Sequence, residues 1–118
     1  MLRRKLTAKD VAFSLSCEPE DIPFVGNCSA ISDDIDRQTE DWIAEQLEGG
    51  NAWAWCQVLV TARWNGFQGR AALGGCSYES EESFRRPGGY FDDLKAEALD
   101  ALNDEVERAA YALDSLIS

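Results

Sequence analysis

Five carboxylates recur late in the chain at spacings of four and three residues: Asp93, Glu97, Asp100, Asp104 and Glu107. On an α-helix those spacings place all five along one face. With a rise of about 1.5 Å per residue they would follow one another every ~5 Å, a sparser ladder than the one charge per ~3.4 Å on a strand of duplex nucleic acid. Such a ladder makes and breaks no bonds; its chemistry is the presentation of negative charge to a basic surface. Like charges so spaced oppose the helix by roughly 0.2–0.5 kcal/mol per pair, and only Lys95 and Arg108 lie nearby to offset them. A docking role therefore competes with the plainer reading of a solvated face that aids solubility. Asp34, Asp41, Glu45 and Glu48 repeat the theme on an earlier helical stretch. The other candidates are Trp53 and Trp55, beside Leu59. On an uncovered sheet face they would be a contact patch for a protein or a sugar; beneath the 18–30 loop or the N-terminal segment they would be ordinary core.

Catalysis finds few tools here. The chain has no histidine, no Ser-centred nucleophile elbow, no P-loop and no dinucleotide motif. Paired acids at glycosidase spacing would arise by chance in so acidic a sequence. Cys17, Cys28, Cys56 and Cys76 lack the close pairing of zinc ligands, so the expectation is four reduced structural thiols and no metal or cofactor.

The acidity is pronounced: 22 Asp and Glu against 11 Lys and Arg give a net charge of −11. Arg3, Arg4, Lys5 and Lys9 open the chain with Asp10 as the only acid among them, and the rest holds 7 basic and 21 acidic residues, a balance of −14. Such a surface repels nucleic acid and anionic membrane and attracts basic protein patches over a Debye length of ~8 Å. Direct nucleic-acid or membrane binding is not expected. The basic opening lacks the apolar run of a secretion signal, because Lys9 and Asp10 interrupt it. No stretch approaches the ~20 apolar residues of a membrane span, and the expected location is the cytoplasm.

The elements that must carry these residues centre on one long hairpin across residues 52–78. Asn65-Gly66 joins two β-rich runs, the strongest short-range hairpin signal. A turn there sets Trp64 opposite Phe67, Ala62 opposite Gly69, Val60 opposite Ala71 and Val58 opposite Leu73, all on one apolar face. The other face, with Trp53, Trp55, Gln57, Leu59, Thr61 and Arg63, is mixed and partly wet. Alternation over residues 11–17 predicts a half-buried edge strand, and Pro19, Pro23, Gly26 and Asn27 predict a loop over 18–30. Ser32 caps a helix, with Asp33, Asp34 and Asp36 at its positive end, that stops at Gly49-Gly50 and buries Ile35, Thr39, Trp42, Ile43 and Leu47. Ser80, Glu81 and Glu82 cap a short turn carrying Phe84. A final helix over 90–116 buries Leu94, Ala98, Leu102, Val106, Ala109, Leu113 and Leu116. Gly74-Gly75 reads as a bulge or a close backbone approach. The sum is one α+β domain spanning residues 1–118, a β-α-β-β-α two-layer sandwich with a three-stranded antiparallel sheet and two helices on one face.

The words WCQV, NGF, GGCSY and PGGYFDDL fall within residues 53–103. In them the chain resembles small acidic proteins carried by phages, plasmids and integrated elements of Gram-negative bacteria. The resemblance implies an accessory gene of a mobile element, a class that includes anti-CRISPR and anti-restriction inhibitors. No active residues come with it. Charge and resemblance together give the expected function: a non-enzymatic inhibitor whose acids, with Trp53 and Trp55, bind the basic nucleic-acid-binding surface of a host defence complex. The competing expectations are an assembly subunit that forms homo-oligomers through a Trp-bearing sheet face, and a small-ligand or sugar-binding module. The chain is expected to act as a monomer or a homodimer.

Overall fold

The computed structural model describes residues 4–28 and 32–117. Arg3, Ala30 and the side chain of Asp33 lie outside the described residues.

Asn65 and Gly66 both adopt positive φ, 50° and 83°, the two-residue hairpin turn whose twist suits the flanking strands. They join β2 (Cys56–Trp64) to β3 (Phe67–Cys76) in the register read from the sequence, with Trp64 opposite Phe67 and Val58 opposite Leu73. Between the Val58–Leu73 and Cys56–Cys76 pairs β3 carries an extra residue, a bulge at Gly74-Gly75 where Gly75 takes φ 64°. β1 (Ala12–Pro19) pairs antiparallel with β2 from Ala12 opposite Arg63 to Pro19 opposite Cys56, giving the order β1-β2-β3. β1 runs two residues further than the alternation indicated. On an edge strand the N–H missing from Pro19 need not belong to a ladder.

α3 (Tyr90–Ile117) lies across β2 and β3, and the core sits between them. Val58, Val60 and Ala62 of β2 meet Phe91, Leu94, Ala98 and Leu102 of α3, all buried. Helix and strand come closest at Gly69. A Cβ there would fall 2.8 Å from the carbonyl carbon of Ala101 and closer still to Leu102 N and Ala98 O, all backbone atoms. The N-terminal arm is fastened to the same helix. The Asn103 side chain accepts from Leu6 N–H (2.9 Å) and donates to Leu6 C=O (3.1 Å), so Leu6 joins the core although 97 residues separate the two.

α1 (Asp33–Glu48) begins at Ser32, whose hydroxyl accepts from Ile35 N–H. Its main packing partner is the 3-10 turn Ala52–Ala54 at the end of the sheet. Ile43 is fully buried, whereas Ile35 and Leu47, expected in the same stripe, are exposed. The contact made by α1 is too small to cover a full five-residue stripe. α2 (Glu81–Phe84) is capped by Ser80 and places Phe84 against Trp53, Tyr78 and Phe91. The chain is elongated, 64 × 26 × 24 Å, because α3 continues past the sheet. No helix among the described residues is long and apolar enough to cross a membrane.

Candidate functional site

Seating Leu94, Ala98 and Leu102 on the sheet turns the opposite side of α3 outward. At 3.6 residues per turn, Asp93, Glu97, Asp100, Asp104 and Glu107 occupy an arc of about 80° there, over an axial length of ~21 Å. All five are exposed. The two cations expected to offset them are engaged elsewhere. Lys95 reaches Asp92 at 3.5 Å and sits 4.5 Å over the Phe91 ring, and Arg108 pairs with Glu105 at 2.9 Å. None of the ion pairs among the described residues uses a carboxylate of the ladder. Asp92 is set apart from it. Its carboxylate accepts from Gly88 N–H at 2.8 Å, which, with Lys95 beside it, holds it below the usual carboxylate range.

On α1, Asp34, Asp41, Glu45 and Glu48 are likewise exposed, on the side away from Ile43. Glu40 turns inward to the loop, accepting from Gly26 N–H at 2.8 Å.

Of the two arrangements expected for the tryptophans, the structure has the covered one for Trp55 and packs Trp53 against Phe84. Trp53 lies in a 3-10 turn ahead of β2, whereas Trp55, still extended (φ −158°, ψ 111°), directly precedes the strand and keeps the phase of Gln57 and Leu59. Asn51 is the cause of the turn: its side chain accepts from Trp53 N–H and donates to Glu79 C=O, drawing residues 52–54 into a 3-10 turn before the strand begins. Trp53 is thereby packed 5.6 Å from Phe84 at the margin of the core. Trp55 is covered by the 18–28 loop, donating from Nε1 to Ile22 C=O at 2.7 Å with Phe24 edge-on to its ring. No Trp-bearing open sheet face exists among the described residues. That face instead presents Ser14, Ser16, Gln68, Arg70 and Arg63, the last donating to the Ser14 hydroxyl at 2.7 Å.

Beside Trp55 the loop leaves an apolar groove of about 420 Å³, lined among others by Cys17, Pro19, Ile22, Phe24 and Leu47. One wall is pinned by Glu20, which nothing in the sequence pattern singles out. Its carboxylate accepts from Gly75 N–H at 2.6 Å and from Ile22 N–H at 3.3 Å, and the Gly75 bond above all draws it below its ordinary range. The bulge thus carries an internal anion.

Cys17, Cys56 and Cys76 come together at the same end of the sheet, all free thiols. Burial, with the neighbouring Cys17 and Cys76, pushes the Cys56 thiol up to about 12, so it stays protonated and inert. No group of three or more Cys, Asp and Glu able to hold a metal occurs among the described residues. Searches with family models, among curated proteins and among solved structures found no match to this chain.

Proposed function

We propose that the protein is a non-enzymatic acidic inhibitor from a mobile element. It would bind the Lys/Arg surface with which a host nucleic-acid-binding defence complex, of the kind that anti-CRISPR proteins target, grips phosphate. One observation carries this reading: five exposed carboxylates stand in line on a helix fixed to a sheet, with the nearby cations committed to other partners. A rigid ladder loses little freedom on docking, and its field steers a basic partner toward it. The acids of α1 extend the negative surface. Trp53 and Trp55, covered by their own chain, support the scaffold in this reading more than the contact.

The test compares the tagged protein with a variant carrying Asp93→Asn, Glu97→Gln, Asp100→Asn and Asp104→Asn together, in capture from a host lysate at low and raised salt. The expected result is capture of a nucleic-acid-binding complex that weakens with salt, and a loss on the order of 100-fold in affinity for the variant. Equal capture by the variant would remove the ladder from the mechanism. The groove beside Trp55 supports a second reading, a module for a small apolar ligand. That reading requires a saturable change in tryptophan emission on titration with such a ligand, abolished by Trp55→Phe.

A further inference from the structure

The apolar stripe of α3 outlasts the sheet beneath it. Val106 is the last of its residues to pack against the core; Gly69 of β3 lies under Ala98–Leu102, which puts the stacked Trp64 and Phe67 of the hairpin tip toward this end of the helix. Residues 107–117 then run on for about 16 Å. Leu113 is 60% exposed, Leu116 83% and Ile117 85%. This overhang is ordered as a seam. Val106, Ala109, Leu113 and Leu116 follow spacings of three, four and three, the a and d positions of a heptad, and Ala110, Ala112 and Ile117 flank them. Glu107, Arg108, Asp114 and Ser115 fall on the other side.

We propose that the overhang docks onto a second copy of itself, antiparallel, to form a two-fold dimer. Size complementarity selects this occupant and this direction. In an antiparallel pair the a positions face the d positions of the partner helix, so Val106 meets Leu116 of the second copy and Ala109 meets its Leu113. Every layer then joins a smaller side chain to a larger one. A parallel pair would set Ala109 against Ala109 and Leu113 against Leu113, alternately hollow and crowded. The antiparallel register also brings the end of each overhang onto the Trp64–Phe67 tip of the other copy, making the contact self-complementary. With the tip included, such a contact removes roughly 500–600 Å² per copy, at the low end for specific interfaces, so the dimer is weak. Charge does not forbid it: the seam has no charged residue from Ala109 on, and the acid ladders point away from it. Because each copy carries −11, added salt strengthens this association, the reverse of what it does to docking through the ladder.

Sedimentation equilibrium on the full chain from about 5 to 300 µM, at low and raised salt, tests the proposal. The expected result is a monomer–dimer equilibrium with Kd on the order of 10–100 µM that tightens several-fold with salt. Leu113→Glu should weaken it at least 30-fold with an unchanged far-UV spectrum, and Leu116→Glu repeats the measurement should the first variant lose its fold. A monomer throughout at both salts, as expected if another kind of protein covers the stripe, would overturn the proposal. So would a dimer that ignores both substitutions. The ladder-neutralised variant should still dimerise, which separates this face from the one proposed for the partner.

Discussion

Gly69→Ala puts the seating of α3 to the sharpest test. The new methyl would meet three backbone atoms of residues 98–102, which cannot rotate aside as a side chain could. To restore contact at ~3.4 Å the helix must lift by about 1 Å, opening the layer where Ala98 and Leu102 close on Val58, Val60 and Ala62, every one of them 0% exposed. Overpacking of this kind costs about 1–3 kcal/mol where side chains yield, so against rigid backbone the expected loss is about 3 kcal/mol or more. The whole domain is held by roughly 6–15 kcal/mol, which makes that a large fraction. In urea, with a slope of about 1.5 kcal/mol/M, the midpoint should fall by about 2 M. Gly49→Ala is the control. Its φ is −78° and the nearest atom to an added Cβ is 3.5 Å away, so it should shift stability by less than about 1 kcal/mol, toward greater stability. Should Gly69→Ala unfold within about 0.5 M of the parent, the helix does not sit on β3 as described.

Other consequences follow from single residues. Asn103→Ala leaves the Leu6 backbone without its two partners; stability should fall by about 1–2 kcal/mol, while amide exchange at Leu6 and tryptic cleavage after Arg4 and Lys5 accelerate. Asp10 is held at about 2, first by the Arg4 guanidinium at 2.7 Å and then by Thr7 N–H. Its folded value lies below its unfolded one, so its stabilisation is present above about pH 4 and disappears as the pH falls toward 2. Thermal melts of Asp10→Asn should accordingly show a shallower acid loss across that window than the parent, and parallel curves would contradict the Arg4–Asp10 pairing. Cys56, pushed up to about 12, should resist iodoacetamide at pH 8 in the folded protein and react on denaturation, read by peptide mass. Labelling of native Cys56 as fast as that of Cys28 would show the cluster to be open.

The hairpin register was legible because Asn65-Gly66 fixes the turn and a period of two fixes every pair after it. The same period misplaced Trp53. Alternation cannot register a side-chain cap, and Asn51 ends the extended run three residues early. On α3, periodicity correctly reported which side is apolar, but it carries no information about whether anything lies over that side. Hence Leu94, Ala98 and Leu102 are buried while Leu113 and Leu116, on the same stripe, stand free. Ile35 and Leu47 of α1 repeat the point. The exposure of the acid ladder could be read in advance, since it needs only the opposite side of the helix to be seated. Its freedom from Lys95 and Arg108 could not, because that depends on which neighbouring carboxylate each cation reaches.

The clasp between Asn103 and Leu6 also bears on the order of assembly. Closing a loop of 97 residues at the outset would carry a large entropic cost, yet once hairpin, edge strand and last helix have docked the two partners are already neighbours and the cost has largely lapsed. The clasp is therefore expected to close after the body it joins and to open before it. Hydrogen exchange at the Leu6 amide thus reports release of the N-terminal arm from α3 before the body itself opens.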